Sequence, residues 1–425
     1  MNRQRRSGYT VQCSAVFALV LACGFVVPPA QSQTLHVLYN FTGGVDGADP
    51  FAGLTVDQAG NFYGVAAAGG VQTCGVNGLV GCGTAFVLQR SASGWRFTTL
   101  YDFAGGSDGF SPGELSFGPG GAMYGSTEYG GAGGSGIVFR LQPPLGPCKT
   151  ALCYWTKTTL YGFSGGQDGN LPSGVVADSA GNLYGTTYLG GTYNGGTVFE
   201  LSHASGGWTK SVVYSFGGPN DGLYPSSGVV FDRLGNLYGV TYYGGTGTYG
   251  TLYQLKRNSA GWTETVIDNF TSSGVEGSGP DGDPIFDASG NLYMTNTNGG
   301  INGGGTVVKF TPSGNQWMMN VIYPFLYESS PDALSMDSQG NLYGILSYTN
   351  DERGSIFKLT PSANGWVYTD LHDFTGYADG QRPGGPLIID SAGNVFGTAA
   401  FGGSGRCNIG TGYDGCGTIW EITPN

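Results

Sequence analysis

Seven times along the chain a segment of the type Asp-x-x-Gly-Asn-Leu-Tyr-Gly returns, beginning at Asp57, Gly118, Asp178, Asp232, Asp287, Asp337 and Asp390. The second copy is degenerate, reading Gly118-Pro119-Gly120-Gly121-Ala122-Met123-Tyr124. Successive copies start 61, 60, 54, 55, 50 and 53 residues apart, a repeat of about 56 residues, generous for one four-stranded propeller blade. A period of this kind belongs to a solenoid or a propeller, in which each unit buries its apolar face against its neighbours.

The third copy shows the unit most clearly. Residues 172–178 read as a short first strand, and Ser179-Ala180-Gly181-Asn182 as the turn after it. In that turn the carboxylate of Asp178 can accept backbone N–H bonds while Gly181 supplies positive φ. Residues 183–189 form a second strand, residues 196–201 a third, and residues 208–216 a fourth. Six of the seven tryptophans (Trp95, Trp155, Trp208, Trp262, Trp317 and Trp366) open fourth strands, and each strand closes eight residues later on a phenylalanine. Aromatics at fixed places in successive sheets are what stacked blades bury against one another.

The last repeat stops after its third strand, residues 417–422, whereas residues 35–41 match a fourth strand such as 99–103. The expected fold is therefore all-β, a seven-bladed β-propeller of four antiparallel strands per blade, its last blade closed by the N-terminal strand of the mature chain. Such a clasp leaves no open sheet edge.

Residues 1–32 read as a secretory signal: Arg3, Arg5 and Arg6 precede an apolar run from Ala15 to Val27, followed by a plausible cleavage site at Ala30-Gln31-Ser32. Residues 33–425 are then the single propeller domain. Losing three of 17 basic residues leaves 14 against 29 acidic, a net charge of −15, which disfavours nucleic acid and anionic membrane as partners. No later stretch is long and apolar enough for a membrane-spanning helix. The sequence thus reads as an exported protein, secreted, periplasmic or at the cell surface, and a monomer. The six cysteines beyond the signal fall in local pairs, Cys74 with Cys82, Cys148 with Cys153 and Cys407 with Cys416; export and even pairing favour disulfides over metal ligation.

The unit Phe-x-Gly-Gly-x-Asp-Gly-x-x-Pro, then Asp-x-x-Gly-Asn-Leu-Tyr-Gly-Thr-Thr, then Gly-Gly and Gly-Thr-Val-Phe, resembles the GloVer tandem repeat of exported bacterial proteins, often called choice-of-anchor proteins. The resemblance covers about residues 35 to 423 and implies no established reaction. The sequence ends at Asn425 without a sorting tail, which leaves surface attachment open. The Gly-Asn-Leu-Tyr hairpin alone is also similar to units of NHL-type and streptogramin-lyase-like propellers.

A lyase of that kind would need histidines near the axis, and His36, His203 and His372 do not cluster by repeat position. The connections from each fourth strand to the next blade carry Asp46, Asp108, Asp168, Asp221, Asp281 and Asp379, with Glu328 in the sixth. Such a ring of hard oxygen donors could take up calcium, although Asp-Gly is also an ordinary turn pair. The loops between second and third strands vary in length on a constant frame, and Tyr129, Tyr188, Tyr242, Tyr243 and Phe401 stand where they begin. Variable loops on a rigid scaffold are where ligand contacts concentrate. The expected function is a non-enzymatic binding scaffold for a glycan or a protein; the alternatives are a lyase or hydrolase with its site at the axial funnel, and a purely structural envelope protein.

Overall fold

The computed structural model describes residues 33–424 apart from 77–78, 93, 145–154, 260, 273, 349–351 and 408–413. The signal segment and the Cys148/Cys153 pair lie outside the described residues. Seven antiparallel sheets follow one another around an axis. The third blade is the simplest: Asn170–Ala177 lies innermost, followed outward by Leu183–Leu189, Thr197–Ala204 and Gly207–Ser215. The fifth repeats it with Ser278–Phe286, Leu292–Asn298, Gly303–Ser313 and Gln316–Leu326.

Closure takes the expected form. Thr34–Asn40 pairs antiparallel with Thr418–Thr423, from Thr34 opposite Thr423 to Asn40 opposite Thr418, and completes the sheet begun by Gln381–Ile389. The first and last stretches of the domain thus share one blade.

The core lies between blades. Seven apolar clusters of buried residues are each drawn largely from adjacent sheets, as where Tyr184, Val198 and Phe216 of the third blade meet Leu237 and Tyr253 of the fourth. The phenylalanines that close the outer strands, Phe41, Phe103, Phe163, Phe216 and Phe270, are fully buried, each worth about 1.5–3 kcal/mol of transfer free energy. The hairpin tyrosine of one blade meets the outer-strand tryptophan of the next: Tyr63 with Trp155, Tyr124 with Trp208, Tyr184 with Trp262, Tyr238 with Trp317 and Tyr293 with Trp366, at 5.9–6.4 Å between ring centroids.

A second contact repeats seven times. The glycine that opens each third strand (Gly83, Gly136, Gly196, Gly250, Gly305, Gly354 and Gly417) has φ between +84° and +104°, and a Cβ there would fall within 2.5 Å of a proline of the next blade. These prolines, Pro112, Pro172, Pro225, Pro280, Pro331, Pro383 and Pro50, start the innermost strands. Only glycine supplies both the left-handed backbone and the room, so the Gly-Thr and x-Pro elements of the repeat are the two halves of one inter-blade joint.

Candidate functional site

The two faces of the disc use their carboxylates differently. On the hairpin face Asp287 accepts bonds from Ser289 N (2.8 Å), Asn291 N (2.9 Å), Asn291 Nδ2 (2.6 Å) and the Tyr293 hydroxyl (3.1 Å). Asp57, Asp178, Asp232 and Asp337 repeat this set, and Asp390 repeats it without a tyrosine. Burial works to raise the carboxyl pKa of Asp57, Asp287 and Asp337, but these bonds outweigh it and hold the groups below the usual range.

On the opposite face, five of the six connection aspartates are also engaged. Asp46, Asp108, Asp168 and Asp221 accept the hydroxyls of Tyr39, Tyr101, Tyr161 and Tyr214 at 2.7–3.1 Å and the backbone N–H four residues earlier. Lys157 and Lys210 pair with Asp108 and Asp168. Asp379 bonds to His372 Nε2 at 3.0 Å and to Thr375 N at 2.9 Å. Against the burial that would raise it, these bonds bring its carboxyl down to about 2. His372 occupies the tyrosine place, edge-on to Phe374.

The sixth aspartate departs from the expected ring. Asp281 lies within the innermost strand of the fifth blade, not in a connection; in the fifth connection Asp268 stands at the tyrosine place and Val275 seven residues later. Phe401 ends the second strand of the seventh blade where its loop begins, and is 7% exposed beneath the Arg382 guanidinium.

The other aromatic candidates lie on the loop side. Tyr188 stacks on Tyr224 with centroids 5.2 Å apart and 23° between planes, and Tyr243 meets Tyr224 and Tyr242 edge-on. Asn298 Nδ2 donates to the Tyr242 hydroxyl at 3.4 Å. Tyr129 stacks instead on Phe110 of its own blade. The expected disulfides Cys74–Cys82 and Cys407–Cys416 are formed; each lies against a glycine of the following connection, Gly105 and Gly43 respectively.

The centre of the molecule holds what the sequence reading missed. An axial cavity of about 570 Å³ is lined from all seven innermost strands, and its wall includes Glu114, Glu128, Asp281, Asp283 and Asp332, with Tyr188 at one end. Among the described residues no lysine, arginine or histidine lines it. Irregularities in the innermost strands, between Pro172 and Val175, Asp281 and Ile285, Asp332 and Leu334, and Gly384 and Ile388, fall where the wall is formed, and so break the alternation that would have marked inward positions. Burial pushes all five carboxyls upward, with the charge of Asp283 adding to the effect on Glu114 and that of Asp332 to the effect on Asp281. On this wall the Asp283 carboxylate is held by the Ser227 hydroxyl and the Gly228 N–H, which do not offset its burial. Among the described residues no three His, Cys, Asp or Glu side chains converge as a metal ion would require. A larger groove of about 850 Å³ runs along the seam of the fourth and fifth blades, over Tyr238 and Trp317. It draws on two blades, whereas the axial cavity draws on all seven.

The signal for this site was present in the repeat. Aligned on the inner-strand proline, the next three residues are Phe51-Ala52-Gly53, Gly113-Glu114-Leu115, Ser173-Gly174-Val175, Ser226-Ser227-Gly228, Asp281-Gly282-Asp283, Asp332-Ala333-Leu334 and Gly384-Gly385-Pro386. Small residues dominate this column, and four acids interrupt it.

The Gloeobacter/Verrucomicrobia repeat matches the sequence three times, over residues 72–285, 149–349 and 280–425. The chain belongs to this repeat family. No curated protein sequence is significantly similar to it. Among solved structures, virginiamycin B lyase from Staphylococcus aureus aligns over 92% of this chain and 98% of its own, at 15% identity and a TM-score of 0.54. A catalytically inactive variant of that lyase with quinupristin aligns over 92% and 99%, at 15% identity and 0.55. At such identities the likeness is one of fold. For this member of the repeat family, the fold is a propeller scaffold, and among its described residues no helix is long and apolar enough to cross a membrane.

Proposed function

We propose that this repeat protein is exported and acts as a binding scaffold for a glycan, taken at the mouth of the axial cavity on the loop side of the disc. The observation that carries this reading is the tyrosine group Tyr188, Tyr224, Tyr242 and Tyr243 beside a cavity lined by carboxyls. Aromatic faces suit the apolar C–H faces of sugar rings, and carboxyl oxygens suit their hydroxyls. A volume of about 570 Å³ falls within the usual range of small-molecule sites, about 300–1,000 Å³. The connection aspartates Asp46, Asp108, Asp168, Asp221 and Asp379 serve in this reading as the frame that holds the loops, and calcium is not required.

A glycan array probed with residues 33–425, with calcium and with chelator, tests it. The reading expects hits in both buffers. A blank array in both would remove glycan binding, and hits confined to calcium would return the site to the connection aspartates.

A specific observation favours an enzyme as the second reading. Glu114 and Asp283 line the same cavity, and burial, with the charge of Asp283 added, raises the Glu114 carboxyl to about 8, so that it could keep a proton to donate. Turnover of an array hit, abolished in Glu114→Gln, would establish it.

A further inference from the structure

Six residues before the phenylalanine that closes each outer strand, one side chain holds the same place in every repeat. From the first blade to the seventh these are Phe97, Lys157, Lys210, Glu264, Met319, Tyr368 and Leu35. Phe97 stacks on Tyr39 and Tyr368 on Tyr323 of the preceding blade, with centroids 4.0 and 5.1 Å apart. The two lysines instead reach the connection that enters their own blade. The Lys157 side chain, 2% exposed, meets Asp108 Oδ1 at 2.5 Å, and that of Lys210, 4% exposed, meets Asp168 Oδ1 at 3.0 Å. Each ammonium also donates to the backbone oxygen of its aspartate. Opposite charges thus latch the seam between the first and second blades and the seam between the second and third.

At the next seam the place is kept and the sign is reversed. Glu264 lies opposite Leu255 as Lys157 lies opposite Leu141 and Lys210 opposite Leu201. Asp221 is placed by the same tyrosine bond as Asp108 and Asp168. A carboxyl therefore stands where the two preceding seams carry a lysine, near enough for the charge of Asp221 to act on it. Glu264 Oε1 is buried and has no hydrogen-bond partner. The other titratable groups coupled to its charge are the hydroxyls of Tyr214, on the outer strand of the third blade, and of Tyr253, on its own blade. Tyr253 is fully buried, and its hydroxyl also lacks a partner. Among the described residues no lysine, arginine or histidine acts on Glu264. Burial, with the charge of Asp221 added, lifts its carboxyl to about 7. Ionised, it meets a like charge with no counter-charge; protonated, it has an O–H to give.

Asp221 also holds the segment that carries the tyrosine group. Its carboxylate accepts the N–H of Gly217 at 3.1 Å and of Gly222 at 2.7 Å, and its backbone oxygen accepts that of Gly245 at 2.6 Å. Gly222 and Leu223 then pair with Gly244 and Tyr243, immediately before Tyr224.

We infer that this seam is a proton-operated latch: with its proton Glu264 donates to Asp221 and closes the seam, and without it the two carboxylates repel and free residues 217–222 together with the tyrosine group. The inference adds regulation to the site proposed above and rests on the glycan reading only for its effect on binding. The folded chain keeps at Glu264 a proton that the unfolded chain has released. The stabilisation is therefore fully present below about pH 4 and is lost as pH rises through about 7.

Hydrogen exchange of residues 33–425, followed by mass spectrometry at pH 6 and pH 8 and corrected for intrinsic rates, tests the inference. Residues 217–224 should lose at least fivefold in protection from pH 6 to pH 8, while residues 104–111 and 164–171, held by the lysine latches, should lose less than twofold. A global loss of stability would act on all three segments alike. Glu264→Gln, whose amide can donate at either pH, and Glu264→Lys, which restores the latch of the preceding seams, should each keep residues 217–224 protected at pH 8. Equal loss in the three segments overturns the inference, as does the wild-type loss persisting in both variants. An array hit should bind at least threefold more weakly at pH 8 than at pH 6, a difference that Glu264→Lys reduces; a hit bound equally at both would overturn the link to the site. A blank array would remove the glycan reading and leave the latch standing.

Discussion

Within one stretch of the fifth blade, Asp281 and Asp283 meet a different fate from Asp287. Asp287 sits at the hairpin, where four donors of its own turn converge on it. Asp281 and Asp283 sit on the axial wall with fewer donors: Asp281 takes the Gly282 N–H at 3.0 Å and the Ser226 hydroxyl, and Asp283 the Ser227 hydroxyl and the Gly228 N–H, and burial raises both carboxyls in spite of them. Hydrogen bonds outweigh burial in the first place, and burial outweighs them in the second. Repetition across the blades marks the first kind. Interruption of the repeat marks the second, since the column after the inner-strand proline carries acids in only three of seven blades.

Substitution should separate the two kinds, most strongly at the hairpin. Asp287→Ala strips acceptors from two backbone donors and two side chains. Discounted for partial exposure, the loss should be about 2 kcal/mol, read as a lower denaturation midpoint. Asp283→Asn on the axis should act in the opposite direction, raising stability by about 1 kcal/mol, because it removes a buried charge that has no cationic partner. Equal losses at both positions would erase the distinction.

The pH dependence of melting sharpens the same contrast. Burial raises Glu114 to about 8 and Asp281 to about 7, so the folded protein holds protons there that the unfolded chain has released. Stability from these groups is greatest below about pH 4 and is lost as pH rises toward 8. Asp57, Asp287, Asp337 and Asp379 are shifted down, and their contribution is lost as pH falls below about 4. The melting temperature should therefore rise on acidification from pH 8 to 5 and turn down below pH 4. The Glu114→Gln variant should flatten the first limb and leave the second.

The smallest effect expected is at the connections. In Asp46→Asn the amide keeps one oxygen as acceptor for Thr42 N and the Tyr39 hydroxyl, so glycan binding should be unchanged and the melting temperature lower by only a few degrees.

The frame of this molecule was legible in the sequence because it is periodic. The Asp-x-x-Gly-Asn-Leu-Tyr hairpin, the Trp-to-Phe outer strand and the unpaired strand at residues 35–41 each recur or complement a recurrence, and each appears in the structure. The site was less legible for the converse reason. Glu114, Asp283 and Asp332 do not recur, and irregular inner strands hide which residues face the axis. Asp281 was drawn into the connection ring because Asp281-Gly282 resembles its Asp-Gly pairs, although it follows Pro280 where the ring aspartates precede their prolines. Tyr188, Tyr242 and Tyr243 could be picked out from the loop frame; their gathering around Tyr224 depended on the left-handed turn before Pro225, which the sequence does not announce.

The most direct test of the division between frame and site is a glycan array probed in parallel with the wild-type chain, Asp287→Asn and the double variant Asp281→Asn/Asp283→Asn, all as residues 33–425. The account predicts hits for the wild type that survive in Asp287→Asn, despite its lower stability, and that are lost or changed in the axial double variant. The same hits at the same strength in the axial double variant would contradict it.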